Sequence, residues 1–170
     1  MKSRYGRPIF HGRFPRMIDR EFHARQVTRL LRRFPVVAIQ GARQVGTTTL
    51  ANSIVSSTEH SVRFDLENPA DLARLADPML ALQELKGIVV LDEIQRRPNL
   101  FPILHVLADR RPIRARFLVL GGAAPALHRQ SSESLAGRIA YYELPGLGIG
   151  ETRASRQIGS GCAAASRSHF

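Results

Sequence analysis

Gly41-Ala42-Arg43-Gln44-Val45-Gly46-Thr47-Thr48-Thr49 follows the apolar run Val36-Val37-Ala38-Ile39 and opens a helix-forming segment. That layout matches the phosphate-binding loop G-x-x-x-x-G-K-[ST] at every defining position but one. In such a loop the glycines let backbone N–H groups turn inward around phosphate oxygens. The following helix adds its free amides and the positive end of its dipole. Thr48 stands where a hydroxyl reaches a magnesium ion. Thr47 stands where the motif has lysine, and it is uncharged and too short to bridge the β- and γ-phosphates. Arg43 lies inside the loop, but nothing in the spacing lets it take that part. Losing one charge-assisted contact to phosphate costs on the order of 1.5–3 kcal/mol, roughly ten- to a hundredfold in affinity. Hydrolysis suffers more, because transition-state charge builds on the same oxygens. By itself the stretch also fits a glycine-rich turn between strand and helix that binds nothing.

A second stretch, Val89-Val90-Leu91-Asp92-Glu93, ends an apolar run in paired acids. Asp92 would hold the metal, directly or through water. Glu93 would orient and deprotonate an attacking water. Two acids at a strand end are ordinarily solvated loop residues. Here they follow the glycine loop with one strand between, which is the arrangement that an ATPase with an inserted strand requires. The two motifs together point to a nucleotide-binding fold.

The elements that must position these residues are legible as an alternation of strands and helices. Asp19 can cap a helix over 20–33 whose approximate apolar stripe is Phe22, Val27, Leu30 and Leu31. Pro35 separates it from a strand at 36–40, rich in β-branched residues, which reads as buried and parallel. A helix over 47–56 follows the loop, and alternation over 61–66 reads as a second strand. Pro69 opens a helical patch to Ala76, and Asp77-Pro78 caps and restarts a helix to Leu85. A third strand over 87–91 precedes a helix over 98–109 with Leu100, Leu104 and Leu107 on one face. A fourth strand over 117–120 closes on Gly121-Gly122. A short helix over 124–130, a helix or loop over 132–138, and a fifth strand over 139–144 complete the pattern. Such alternation implies an α/β parallel sheet covered on both faces. Right-handed crossovers collect Gly41–Thr48, Asp65, Asp92-Glu93 and Gly121-Gly122 at one edge, where ligands of these sheets bind.

Composition sets the boundaries of the reading. An apolar fraction of 44% and a charged fraction of 23% are those of a globular domain. The apolar runs are far too short to span a bilayer, and no secretory leader is visible, so a cytoplasmic setting and no membrane partner are expected. The single cysteine, Cys162, excludes an internal disulfide and a cysteine-based zinc site. A net charge of +11 favours polyanions, whether nucleic acid such as DNA, nucleotides or an anionic membrane surface, though an arginine-rich composition inherited from a GC-rich genome would produce it equally well. Residues 1–17 read as a basic irregular arm, 18–151 as the nucleotide-binding domain, and 152–170 as a disordered tail.

The words Leu30-Leu31-Arg32-Arg33-Phe34-Pro35-Val36-Val37, Gly41-Ala42-Arg43-Gln44-Val45-Gly46, Leu91-Asp92-Glu93-Ile94-Gln95-Arg96, Asp109-Arg110-Arg111-Pro112 and Glu133-Ser134-Leu135-Ala136-Gly137-Arg138 resemble a bacterial and archaeal family of AAA-type P-loop ATPases. Its members are usually longer and carry a C-terminal domain. The resemblance spans about Ile18 to Glu151 and implies strand order 5-1-4-3-2 with ATP and Mg2+ as ligands. It makes Arg138 a candidate for contacting phosphate, in cis or from a neighbouring subunit. It also exposes a second departure: the family has Thr-Gly-Ser after the fourth strand, with hydroxyls that sense the γ-phosphate, where this chain has Leu120-Gly121-Gly122. A truncated or frame-shifted copy of a longer gene would account for both the departures and the unusual tail. Three functions follow as expectations: an ATP-binding domain with impaired hydrolysis, a working ATPase with a substitute cation, and a basic P-loop scaffold that contacts DNA or a protein.

Overall fold

The computed structural model describes residues 20–42, 45–122, 131 and 133–146. Its centre is a five-stranded, all-parallel sheet ordered β2-β3-β4-β1-β5. This is the expected 5-1-4-3-2 order read from the other side. The strands are β1 (Val36–Gly41), β2 (Ser61–Asp65), β3 (Gly87–Asp92), β4 (Ala115–Gly122) and β5 (Ile139–Leu144). Between them run α1 (Glu21–Arg33), α2 (Thr47–Ser56), α3 (Pro69–Arg74), α4 (Pro78–Gln83) and α5 (Leu100–Asp109).

Side chains alternate across a strand, so each interior strand supplies two cores. Val36, Ala38, Val89, Leu91, Phe117 and Val119 face one layer, packed with Leu75, Leu82, Leu100, Phe101, Leu104 and Leu107 from the α3–α5 side. Val37, Ile39, Val90, Leu118 and Leu120 face the other, against Val27 and Leu31 of α1 and Leu50, Ala51 and Ile54 of α2. Burial on both faces explains why β1, β3 and β4 read as continuous apolar runs rather than alternating ones.

The local chemistry of the helices matches this placement. Asp77 caps α4 by accepting from the Leu80 amide at 3.0 Å, and Asn68 caps α3 from the Ala70 amide at 2.9 Å. Leu100, Leu104 and Leu107 are all buried on α5, as their spacing predicts. The stripe of α1 needs correction: Phe22 is 60% exposed. Five residues before Val27, it lies about 140° around the helix at roughly 100° per residue. Ala24 takes that place, with Leu30 and Phe34 beside it. The N-cap residue of α1 is Arg20; Asp19, the helix expected over 124–130, the arm and the tail lie outside the described residues. Residues 133–134 are helical and 135–138 form a turn. A 3-10 turn over Ile94–Arg96, unsignalled by periodicity, follows β3 directly. No helix among the described residues is long and apolar enough to cross a membrane.

The edge of the sheet where strands begin is held by Arg138. Its carbonyl accepts from the Val36 amide at 3.2 Å, tying the turn before β5 to the start of β1. Its guanidinium grips the Asp109 carboxylate in a two-pronged pair, 2.5 Å from Nε and 2.8 Å from Nη2. Asp109 ends α5, where the helix dipole disfavours an acid, and Arg138 offsets that. The hydrogen bonds from Arg138 hold the Asp109 carboxyl below the usual carboxylate range, and the charges of Arg138, His105 and Arg111 add to them.

Two stability measurements follow. Leu104→Ala, at a fully buried position, should destabilise by about 2–5 kcal/mol in denaturant unfolding, whereas Phe22→Ala should stay within about 0.5 kcal/mol. The folded Asp109 carboxyl titrates below its unfolded value of about 3.9, so the pair's contribution is complete above that pH and lost as pH falls through the folded value. Asp109→Asn should therefore be less stable than wild type at neutral pH, with the gap closing below about pH 4. A gap of constant size across the acid range would exclude the pairing.

Candidate nucleotide site

At the opposite edge, parallel register sets strand ends side by side: Gly41 pairs with Gly122 of β4, and Asp65 of β2 with Asp92 of β3. The loop 41–48 therefore leaves β1 at the same edge as the acids that end β3, with β4 between the two strands. Close approach requires Gly41, since a Cβ there would stand 2.6 Å from Val45 Cγ2 and 2.9 Å from the Leu144 carbonyl oxygen. Gly46 is the N-cap of α2 with φ of 86°, a left-handed backbone that disfavours any side chain. No side chain caps α2, and its first helical bond runs from the Leu50 amide to the Gly46 carbonyl at 2.9 Å. The amides of Thr47, Thr48 and Thr49 are thus left for an acceptor from outside the helix. Ala42 and Thr49 are exposed, and Val45, Thr47 and Thr48 half-buried. Arg43 and Gln44 lie outside the described residues.

Thr48 and Asp92, 44 residues apart in sequence, meet directly: the Thr48 hydroxyl donates to Asp92 Oδ2 at 3.1 Å. Asp92 is buried, and its Oδ1 accepts from the Glu93 amide at 3.0 Å. Glu93 has a left-handed backbone, φ 56° and ψ 44°, which turns the chain sharply off the strand. Its carboxylate accepts from the Gln95 side-chain amide. Asp65 serves the turn after β2, its carboxylate accepting from the Glu67 amide at 2.9 Å.

A hydroxyl and a carboxylate facing each other, beside helix amides without a partner among the described residues, suit a hard cation with a phosphate. Among the described residues no group of three or more His, Cys, Asp or Glu could hold a metal ion. A cation at Thr48 and Asp92 would then draw most of its ligands from phosphate and water, which is the habit of magnesium. At Gly122 an added Cβ meets nothing within 4 Å among the described residues.

Of the expected site residues, Arg138 is not brought to this edge. It adjoins Val36, and the six residues of β1 put Gly41 about 17 Å further on at roughly 3.3 Å per residue. At that separation the Arg138 guanidinium, paired with Asp109, stands away from the loop 41–48 of its own chain. Sequence reasoning missed Arg63. Its Nη2 donates to Asp92 Oδ2 at 2.6 Å and its Nη1 to Asn52 Oδ1 of α2 at 3.2 Å. The signal was available once β2 is set beside β3: Arg63 pairs with Val90 and so shares the face of Asp92.

Comparison with known proteins agrees with this geometry. A family model described as an AAA domain matches residues 33–153. Uncharacterized proteins of Mycobacterium tuberculosis and Mycobacterium bovis are each 48% identical over 147 residues. That is 86% of this chain but 32% of each relative, so the chain spans about a third of the length of the curated relatives it matches. The Walker-type ATPase of Pyrococcus abyssi superposes with a TM-score of 0.62 at 16% identity, over 84% of this chain and 59% of that one. A signal-transduction ATPase with a tetratricopeptide repeat sensor from Pyrococcus horikoshii gives 0.54 at 16%, over 89% and 27%. At such identities these two structures speak for the fold alone. The sheet order, the glycine loop at the end of β1 and the match over residues 33–153 place the chain in the AAA-type P-loop ATPase family.

Proposed function

We propose that this chain binds ATP with Mg2+ at the loop 41–48 and hydrolyses it poorly. The observation that carries the reading is the 3.1 Å hydrogen bond between Thr48 and Asp92. It joins the two motifs through the pair of oxygens that a magnesium ion would share. The amides of Thr47–Thr49 and the inward-turning loop would cradle the β- and γ-phosphates. Thr48 and Asp92 would hold the metal, whose part is to neutralise charge on the transferred phosphoryl oxygens. Glu93 would accept the proton of the attacking water, with Gln95 fixing its carboxylate. Thr47 supplies no cation and Gly122 no hydroxyl, so transition-state charge is left under-stabilised while the ground-state cradle remains.

A titration of Mg-ATP by calorimetry, paired with a phosphate-release assay, tests this. Wild type should bind weakly with little turnover. Thr47→Lys should bind roughly ten- to a hundredfold more tightly, the 1.5–3 kcal/mol of one charge-assisted contact. Adding Gly122→Ser to it should raise turnover further. Robust wild-type turnover that disappears in Glu93→Gln would overturn the impairment and favour a substitute cation. Absence of binding by both wild type and Thr47→Lys would reject the nucleotide reading in favour of a basic scaffold.

A further inference from the structure

Arg63 is the one residue at this edge whose chemistry the two motifs do not call for. It sits on β2, a strand that contributes nothing else to the Thr48–Asp92 pair, and it reaches across β3 to the buried carboxylate. The contact is an ion pair, 2.6 Å from Nη2 to Asp92 Oδ2, with Asp92's side chain 8% exposed and Arg63's 35%. Nη1 is fixed by Asn52, one helical turn beyond Thr48 on α2. Nε is buried without a hydrogen-bond partner. The guanidinium is therefore wedged between α2 and β3.

Asp92 has no idle oxygen. Oδ1 takes the Glu93 amide, and Oδ2 takes both Thr48 and Arg63. A divalent cation using Oδ2 must compete with a charge-assisted hydrogen bond already in place. At the same time, the role of that cation toward Asp92 is partly filled. A polyphosphate on the α2 amides would meet Asp92 and Glu93 as like charges. Arg63 cancels one of them before any metal arrives.

Building on the nucleotide reading above, we propose that Arg63 is the resident cation of the site, standing on the carboxylate a divalent metal would use and making nucleotide binding insensitive to magnesium. A non-hydrolysable ATP analogue is titrated into wild type, Arg63→Gln and Arg63→Lys, each in excess magnesium and in excess EDTA, after circular dichroism has shown that the variants fold. Wild-type affinity should change by less than about threefold between the two buffers. Arg63→Gln should bind at least about tenfold more weakly in EDTA and recover in magnesium, while Arg63→Lys should follow wild type. Wild type that binds in magnesium and loses about tenfold or more in EDTA overturns the role of Arg63 and leaves the nucleotide reading intact. Equal affinities of Arg63→Gln and wild type in both buffers do the same. Wild type that binds in neither buffer overturns the role of Arg63, and the nucleotide reading falls with it when Thr47→Lys also fails to bind. The two wild-type titrations need no variant, so poor folding of Arg63→Gln cannot shelter the proposal.

Discussion

A carboxylate buried at the end of an interior strand must find hydrogen-bond donors or stay protonated. Asp92 is that carboxylate, 6% exposed, and the upper edge of the sheet is arranged around its needs. Its donors come from three directions: the Glu93 amide on its own chain segment, the Thr48 hydroxyl from α2, and the Arg63 guanidinium from β2. Each contact also sets a distance between elements. Thr48 holds the first turn of α2 over β3, so the glycine loop cannot drift from the acids. Arg63 ties the outer strand β2 to α2 through Asn52. The group that would serve a metal is thus the group that organises the site without one.

The two ends of the sheet divide the labour. Strand ends carry the glycine loop that follows β1, the acids Asp92 and Glu93, and Gly122. Strand beginnings carry the joint between Arg138 and Asp109. Two words that look separate in sequence, Asp109-Arg110-Arg111-Pro112 and the stretch ending in Arg138, are therefore two halves of one contact. Leu135, fully buried, anchors the turn between them, and its amide bonds the Ser131 carbonyl at 2.8 Å. A family-specific word need not mark catalysis. Here the one ending in Arg138 fixes where β5 begins beside β1.

Legibility in the sequence follows the range of the interactions. The bounds of α2 are visible because Gly46 and the threonines after it are local signals, and α4 is visible because Asp77 caps within its own turn. β1 and β3 are visible because burial on both faces writes an unbroken apolar run. Phe22 misleads because residue type alone does not give its angle about α1. Arg63 and Asp92 are 29 residues apart, as are Arg138 and Asp109, and no spacing rule joins either pair. They become readable only after strand order places them. The 3-10 turn over Ile94–Arg96 escapes for a related reason: it is imposed by what the core accepts, not by helix propensity.

Glu93 shows how that imposition works. A left-handed backbone at a non-glycine residue costs about 1–2 kcal/mol. Directly after it, Ile94 is completely buried, and full burial of an isoleucine side chain is worth about 1.5–3 kcal/mol. The core term is comparable to the strain, so packing of Ile94 offsets the bend. The bend turns the chain away from the strand direction immediately after Asp92, and Gln95 then holds the Glu93 carboxylate. The orientation of the acid is therefore independent of Thr47. Neither the glycine turn, nor the Thr48–Asp92 bond, nor the strained step at Glu93 draws on the Thr47 side chain. The glycine turn and the charge at position 47 are physically separable, because the turn rests on the close approach at Gly41 and the left-handed backbone of Gly46 and not on the side chain that follows.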